Sequence, residues 1–183
     1  MQRNDLLVWM DLEMSSLKSV LIDQIIEIAV ILTDNDLNVV AEGPSVVIHA
    51  DQALFDRDPF VRSLHEGSGV LSASLESTVT MQEAERQVLA FLKEHVAERS
   101  SPLCGNSIHT DRHFLRLQMP AVENYLFYRC IDVSTFKELA RRWAPAVYLE
   151  AEKRKANKIH RAKNDILQSI DELKFYREQF LKD

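Results

Sequence analysis

Glycine and cysteine are both scarce in this chain of 183 residues, and each scarcity excludes a class of protein. The four glycines, at positions 43, 67, 69 and 105, cannot build the glycine-rich loops that bind a dinucleotide or the phosphates of a nucleoside triphosphate. The two cysteines, Cys104 and Cys130, are too few for a disulfide framework, so a reduced, cytoplasmic protein is expected. Both lie in apolar runs, which predicts small buried side chains rather than reactive thiols.

Long apolar runs and an excess of positive charge are also absent from the sequence. No stretch approaches the roughly 20 apolar residues that cross a bilayer, and the first residues do not resemble a secretory signal. The net charge of −6 argues against a protein that binds long nucleic acid through its phosphates. Residues 153–163 nevertheless carry six basic side chains and no acidic one, which leaves −12 on the rest. This segment is either a surface that attracts a small anionic substrate or a solvated, mobile loop.

The pattern of apolar residues predicts one α/β domain over residues 1–183. Strands are predicted at 6–14, 24–33, 37–49, 101–106 and 127–133. The first three follow one another through short links, which favours an antiparallel meander, and Gly43-Pro44 indicates a bulge or an edge position. The last two alternate with helices and are expected to be parallel. Helices are predicted from Thr80 to about 97 and at 111–118, followed by a further short helix that ends at about 126. Two more are predicted, one from the capping residue Ser134 to 143 and one that begins at about 160.

The first strand carries the feature on which the chemistry depends. Asp11 and Glu13 stand two residues apart in the apolar run LLVWMDLEM, so their side chains point to the same face of the strand. Two like charges held together in an apolar wall repel each other and are costly to desolvate. A hard divalent cation between them would remove this conflict. The alternative is a strand that runs out into solvent, where such a pair is ordinary.

Three further residues are candidates for the same site. Asp111 follows the strand end at Gly105-Asn106, and His160 and Asp165 stand at the beginning of the last predicted helix. A spacing of five residues turns these two about 140° apart on a helix, so they share a site only if His160 precedes the helix proper. Each residue also has an ordinary explanation. An aspartate in a first turn favours the helix dipole, and a lone histidine is commonly a polar surface residue.

Seven passages together resemble the oligoribonuclease family, which belongs to the DEDDh group of 3′→5′ exonucleases. They are WMDLEM at 9–14, DQIIEIA at 23–29, AEGP at 41–44, GSG at 67–69, CGNSIHTDRHFL at 104–115, YRCIDVSTFKELARRW at 128–143 and HRAKNDILQSI at 160–170. The resemblance spans nearly the whole chain, and NSIHTD combined with DVST and KELARRW is typical of this family rather than of exonucleases at large. It implies a ribonuclease H-like fold and a homodimer.

The resemblance also implies the roles of the candidate site residues. Two divalent cations, Mg²⁺ or Mn²⁺, would be bound by the acids Asp11, Glu13, Asp111 and Asp165. His160 would be the general base, because an imidazole titrates near neutrality and can accept a proton from water. Two cations ~4 Å apart stabilise both the attacking and the leaving oxygen when a phosphodiester is hydrolysed.

The substrate-binding residues are implied by the resemblance alone. Leu17 and His65 would wedge the bases of a dinucleotide, and Tyr128 would reach across the dimer into the partner's site. The 5′-phosphate would be capped by Ser107, Arg129, Ser134 and Thr135. Arg129 offers a bidentate fork to such a phosphate. Ser134 and Thr135 begin a predicted helix, whose first N–H groups also suit an anion.

The implied function is hydrolysis of RNA oligomers of two to five nucleotides, dinucleotides especially, to nucleoside 5′-monophosphates. A membrane and long duplex nucleic acid are not expected as partners. Two alternatives stay open: a proofreading-type exonuclease that acts on longer DNA or RNA, and a catalytically weak or inactive relative that binds small nucleotides. Lys163, Asn164 and Gln168 stand where the family usually has Leu, Asp and Glu, and the first two of these departures support the second alternative. Ser15-Ser16-Leu17 also stands where Thr-Gly-Leu is usual, which affects the predicted wedge.

Overall fold

A mixed five-stranded sheet is the centre of the computed structural model, which describes residues 2–154 and 161–181. The strands are β1 (Leu7–Met14), β2 (Ile25–Thr33), β3 (Val39–Val47), β4 (Leu103–Gly105) and β5 (Cys130–Asp132). They lie in the order β3-β2-β1-β4-β5. β1 and β3 are antiparallel to β2, whereas β4 is parallel to both β1 and β5. The predicted α/β fold, with three antiparallel strands followed by two parallel ones, is confirmed.

Helices cover both faces of this sheet. They are α1 (Gln52–Phe55), α2 (Pro59–Ser68), α3 (Val70–Glu76), α4 (Met81–His95), α5 (Ile108–Gln118), α6 (Pro120–Tyr125), α7 (Val133–Trp143), α8 (Pro145–Lys153) and α9 (Ala162–Gln179). Among the described residues, none of these helices is both long enough and apolar enough to cross a membrane.

The alternation of side chains along β1 divides the core into two parts. Met10, Leu12 and Met14 point to one face, where they pack with buried residues of α4, α5 and α6. Trp9 points to the other face and packs in a second cluster with buried residues of α7, α8 and α9. Asp11 has the same parity as Trp9, so the acids of β1 face α9 rather than α4. The sheet therefore presents its carboxylates on the face that α9 covers.

Two local predictions of the sequence pattern are confirmed. Thr80 caps α4, because its Oγ1 accepts a hydrogen bond from the N–H of Glu83 at 3.2 Å. β3 is an edge strand with a bulge, since Gly43 and Pro44 both lie opposite the single residue Val30 where the register with β2 shifts. A proline is tolerated there because an edge strand needs hydrogen-bond donors on one side only.

Three local predictions are wrong, and each has a physical reason. α5 begins at Ile108 rather than at 111, because Ser107 adopts the left-handed conformation with φ of 51° and turns the chain immediately after β4. The N-cap of α7 is Asp132 and not Ser134, since the carboxylate of Asp132 accepts a hydrogen bond from the Ser134 N–H. Cys130 is exposed rather than buried, because it lies in β5 at the edge of the sheet.

Candidate active site

Three carboxylates meet on the face of the sheet that α9 covers. Asp11 and Glu13 project from β1, where their partners on β2 are Ala29 and Glu27. Asp165 reaches the same point from the first turn of α9. One oxygen from each of the three carboxylates lies within 4.8 Å of the other two. Carboxylate oxygens are the ligands that a hard cation such as Mg²⁺ or Mn²⁺ prefers, so this cluster could hold one.

Asp111 lies beside this cluster on α5. The residue is 6% exposed, and Oδ1 accepts a hydrogen bond from the N–H of Leu12 at 2.9 Å, which fixes the carboxylate to β1 at the residue between Asp11 and Glu13. Gly105 permits β4 to approach both α5 and β1 closely. A Cβ at position 105 would lie 2.8 Å from the side chain of Ile108 and 2.9 Å from the carbonyl oxygen of Met10. Three of the four predicted metal-binding acids therefore form one group, and the fourth adjoins it.

Burial and mutual repulsion raise the pKa of the acids at this site. Burial is the main reason that the pKa of Asp11 lies well above its ordinary value, and the charges of Asp111 and Asp165 raise it further. Burial likewise raises the pKa of Glu13 to about 8 and that of Asp111 to about 7, although the Leu12 N–H opposes the latter shift. A bound cation would offset the repulsion and favour the ionised forms. The donor set therefore fits a divalent metal ion.

A buried ion pair beside the cluster is not predicted from the sequence pattern. Glu27 is 1% exposed and lies opposite Glu13 in the strand register. Arg161, the N-cap of α9, donates hydrogen bonds from Nε and Nη2 to Oε1 of Glu27 at 3.0 and 2.7 Å. The N–H of Ala162 donates to Oε2 of the same carboxylate at 3.2 Å. The pair thus fixes the beginning of α9, one turn before Asp165, to the central sheet.

His160, the predicted general base, lies outside the described residues. Its covalent neighbour Arg161 is described, and the hydrogen bonds from Arg161 to Glu27 fix that neighbour beside the acid cluster. The role and the position of the imidazole stay predictions. Of the five predicted catalytic residues, the structure describes the four acids.

Leu17, Tyr128 and His65, predicted to contact bases or the partner's site, differ in their exposure. Leu17 is 63% exposed and Tyr128 is 69% exposed, so both are accessible to a ligand or to a second chain. His65 is only 3% exposed, and its Nε2 donates a hydrogen bond to the carbonyl oxygen of Met14 at 2.8 Å. Its Nδ1 lies 3.8 Å from Oε2 of Glu13. The imidazole thus packs beside Glu13, one of the predicted metal-binding acids, and its contact with a base stays a prediction.

Arg112 on α5 holds the segment that carries two predicted substrate-binding residues. Its guanidinium donates hydrogen bonds to the carbonyl oxygens of Phe127 at 3.0 Å, Tyr128 at 3.0 Å and Arg129 at 3.2 Å. Glu123 accepts a further hydrogen bond from Nε at 3.1 Å, which fixes the guanidinium. Arg129 in turn donates to the hydroxyl of Tyr128 at 3.1 Å. One buried arginine therefore connects the helix of Asp111 with the segment before β5.

Three of the four predicted cap residues for a phosphate lie at the beginnings of two helices, and the fourth, Arg129, directly precedes β5. Ser107 directly precedes α5, and Ser134 and Thr135 lie in the first turn of α7. Ser107 also lines a cavity of about 700 Å³ that opens from Asp11 and Asp165. The same cavity extends along α9 towards α7 and α8, so a small ligand bound there would touch the acids at one end.

The residues that depart from the family pattern leave the acid cluster intact. Nζ of Lys163 lies 2.6 Å from Oε2 of Glu42 on β3, so its charge is paired with an acid outside the cluster. Asn164 is exposed, and Gln168 lines the cavity. The alternative of an inactive relative therefore gains no support from the positions of Lys163 and Asn164.

Comparison with known proteins agrees with this geometry. A family model described as an exonuclease, RNase T, matches residues 8–173. An oligoribonuclease of Pseudomonas syringae pv. tomato is 51% identical over 183 residues, which is 100% of this chain and 99% of that protein. An oligoribonuclease of Chromobacterium violaceum is 46% identical over 177 residues, 96% of either chain.

Solved structures with low sequence identity share the fold. Exonuclease I from Methylocaldum szegediense is 17% identical and superposes with a TM-score of 0.71. That likeness covers 97% of this chain, which spans about two fifths (41%) of the exonuclease I chain. Pop2p of S. pombe, in a form with bound Mg²⁺ and Mn²⁺, is 14% identical with a TM-score of 0.70 and covers 96% of this chain and 84% of its own. The fold is therefore the ribonuclease H-like fold of exonucleases, and the full-length identity to curated relatives gives the narrower assignment: this chain belongs to the oligoribonuclease family.

Proposed function

We propose that this chain is a 3′→5′ exoribonuclease that hydrolyses very short RNA oligomers, dinucleotides especially, to nucleoside 5′-monophosphates. The observation that carries the proposal is the meeting of Asp11, Glu13 and Asp165 within 4.8 Å on one face of an exonuclease fold. The names of relatives that are about half identical over the whole chain support RNA oligomers as the substrate. A cytoplasmic location is proposed from the scarcity of cysteine.

Each residue of the site has a distinct role in the proposed reaction. Two divalent cations, Mg²⁺ or Mn²⁺, would be held by Asp11, Glu13, Asp111 and Asp165. When bound, they supply electrostatic stabilisation for the charge on the attacking and leaving oxygens. His160 would accept the proton of the attacking water, as a group with an ordinary pKa near 6.5 can do at neutral pH. Arg161 and Glu27 position α9, so that Asp165 keeps its place beside Asp11.

The 5′ end of the substrate is assigned to the two helix beginnings and to the surface next to them. Leu17 and His65 would contact the bases, and the 5′-phosphate would be held by Ser107, Arg129, Ser134 and Thr135. Ser134 and Thr135 bring hydroxyl groups to the first turn of α7, and the N-terminus of a helix suits a phosphate. A capped 5′ end leaves a longer strand without a path, so this assignment explains a preference for the shortest oligomers.

The dependence of rate on oligomer length tests the proposed function. With Mn²⁺, a 5′-labelled dinucleotide is expected to turn over at least about tenfold faster than a 5′-labelled 20-mer, because only the short substrate satisfies both ends of the site. EDTA is expected to stop both reactions, and a labelled pentamer should shorten stepwise from its 3′ end. Equal rates on both lengths would favour the proofreading-type alternative. Tight binding of the dinucleotide without product would favour the inactive relative.

We also propose that the enzyme is a homodimer in which Tyr128 contacts the partner's active site. Between residue 128 and the end of α8, three large side chains are more than half exposed: Tyr128, Trp143 and Leu149. Exposed apolar side chains of this size favour a protein interface over contact with water. The segment that carries Tyr128 is held rigidly by Arg112, as a residue acting across an interface requires.

A subunit complementation experiment tests this arrangement. The Tyr128→Ala and Asp11→Asn variants are each expected to hydrolyse dinucleotides poorly. When the two are mixed and allowed to exchange subunits, activity should rise above that of either alone. In a mixed dimer, one site has the acids of one subunit and the Tyr128 of the other. Absence of any recovery, in a mixture that sedimentation shows to be dimeric, would contradict the proposed contact.

A further inference from the structure

Asp132 connects the two helix beginnings to which the substrate's 5′ end has been assigned. It is the last residue of β5 and the N-cap of α7. Its Oδ1 accepts hydrogen bonds from the N–H of Ser107 at 2.9 Å and from the N–H of Ser134 at 3.0 Å. The hydroxyl of Ser134 donates to the same oxygen at 2.5 Å. The two backbone nitrogens are therefore no further apart than two hydrogen bonds placed end to end.

The link to Ser107 stabilises an unfavourable backbone conformation. Ser107 has φ of 51° and ψ of 32°, the left-handed region that residues other than glycine adopt only at a cost. A charge-assisted hydrogen bond to its N–H offsets part of this cost, because a carboxylate is a stronger acceptor than a neutral group. The paired strands place Asp132 opposite Gly105, two residues before Ser107, so the register of β4 and β5 brings the carboxylate to this position.

The charge of Asp132 excludes a direct role in binding a phosphate. A carboxylate repels a phosphate oxygen, and Oδ1 already accepts three hydrogen bonds from the surrounding donors. Its other oxygen, Oδ2, lies 3.4 Å from Nδ1 of His109, which is mostly exposed. The carboxylate is thus turned towards the protein, and all three hydrogen bonds to Oδ1 come from Ser107 and Ser134.

We propose that Asp132 is a positioning residue that sets the spacing between Ser107 and Ser134 and thereby the fit of the substrate's 5′-phosphate. This inference rests on the proposed function, in which both serines contact that phosphate. It predicts that Asp132 acts mainly on binding of the 5′ end and much less on the chemical step. The role is therefore measurable as a difference between two substrates that differ only in the 5′-phosphate.

The test compares a dinucleotide that carries a 5′-phosphate with the same dinucleotide that ends in a 5′-hydroxyl. For Asp132→Ala, the KM of the phosphorylated substrate is expected to rise about tenfold, the effect of losing one or two good hydrogen bonds to a charged group. The KM of the hydroxyl form and kcat for both substrates should change less than about twofold. Asp132→Asn keeps an oxygen acceptor and should recover much of the preference for the 5′-phosphate.

Thr80→Ala is the matched control, because Thr80 caps α4 on the opposite face of the sheet. It should lose about as much stability as any N-cap variant, about 1 kcal/mol, and keep the full preference for a 5′-phosphate. An unchanged preference in Asp132→Ala, or tighter binding of the phosphorylated substrate, would overturn the inference. The Ser134→Ala variant distinguishes failure of the positioning role of Asp132 from failure of the assignment of the 5′ end. If it lowers the preference while Asp132→Ala does not, only the positioning role fails; if neither lowers it, the assignment of the 5′ end fails as well.

Discussion

Replacing Asp11 by asparagine is expected to abolish hydrolysis and, at the same time, to stabilise the metal-free protein. The loss of activity should be on the order of 10³-fold or more, because the side chain lies within 4.8 Å of two other carboxylates at the centre of the proposed metal site. Mn²⁺ binding, measured by calorimetry in the absence of substrate, should weaken together with the rate. The two readouts distinguish a lost ligand from a damaged substrate site.

The gain in stability follows from the cost of burying these acids. Burial and the neighbouring charges of Asp111 and Asp165 raise the pKa of Asp11, which means that the folded state opposes its ionised form. A neutral amide of the same shape removes this opposition. In EDTA at pH 8, the free energy of unfolding of Asp11→Asn should exceed that of the wild type by roughly 1–2 kcal/mol. Asp51→Asn, with a side chain that is 89% exposed, is the matched control and should change neither activity nor stability.

The same acids determine how the stability of the metal-free protein depends on pH. The pKa of Glu13 is about 8 in the folded state against an ordinary 4.5, so the folded chain holds a proton that the unfolded chain releases. Stability from this group is complete below about pH 4.5 and is lost as the pH rises through about 8. Asp111, with a pKa of about 7, acts in the same direction. Saturating Mn²⁺ should remove this decline, and a wild-type protein equally stable at pH 5 and pH 9 in EDTA would contradict it.

Local periodicity was sufficient to predict the strand that organises the site. The alternation in LLVWMDLEM places Met10, Leu12 and Met14 in the core, and the same period of two puts Asp11 and Glu13 together on the other face. The capping of α4 by Thr80 and the bulge of the edge strand at Gly43-Pro44 follow from equally local rules. These features depend on neighbours within a few residues, which a sequence displays directly.

Features that depend on distant residues were not predictable in this way. Glu27 and Arg161 are 134 residues apart, and nothing in the run IIEIAVILT identifies the partner of its single acid. The signal was the acid itself, since a fully buried carboxylate requires a counter-charge. Asp132 and Ser134 are both good N-cap residues, so the sequence alone does not show which of them caps α7. The register of β5 against β4 decides in favour of Asp132. The metal-binding role of Asp165 is implied by the family resemblance alone, because a position on a helix does not reveal which strand it faces.

Arg161→Met is expected to be among the most destabilising single substitutions at the site. It leaves Glu27, 1% exposed, with a buried negative charge that has lost its guanidinium partner. The cost should be about 3 kcal/mol, the lower end of the range for breaking a buried pair, because the Arg161 side chain is itself 36% exposed. The measurement is the free energy of unfolding by chemical denaturation in EDTA.

The double variant Glu27→Gln/Arg161→Met separates the buried charge from the lost contacts. It removes the stranded carboxylate and keeps an amide oxygen as acceptor for the Ala162 N–H, so it should recover part of the stability lost in Arg161→Met alone. Lys163→Met is the matched control on the same helix. Its pair with Glu42 is exposed on both sides and should contribute less than about 1 kcal/mol. Equal stabilities for Arg161→Met and Lys163→Met would show that the Glu27 pair does not stabilise the fold.

The effect on metal binding connects this pair with catalysis. Because Arg161 and Ala162 fix the first turn of α9 to β2, their contacts determine where Asp165 stands relative to Asp11 and Glu13. A loosened first turn should weaken Mn²⁺ binding about tenfold in Arg161→Met, since a ligand that must be reordered on binding contributes less affinity. The double variant should recover stability more fully than Mn²⁺ affinity, because the amide replaces the charge at position 27 but not the bidentate anchor. An Arg161→Met protein that binds Mn²⁺ as tightly as the wild type would limit the pair to a role in stability.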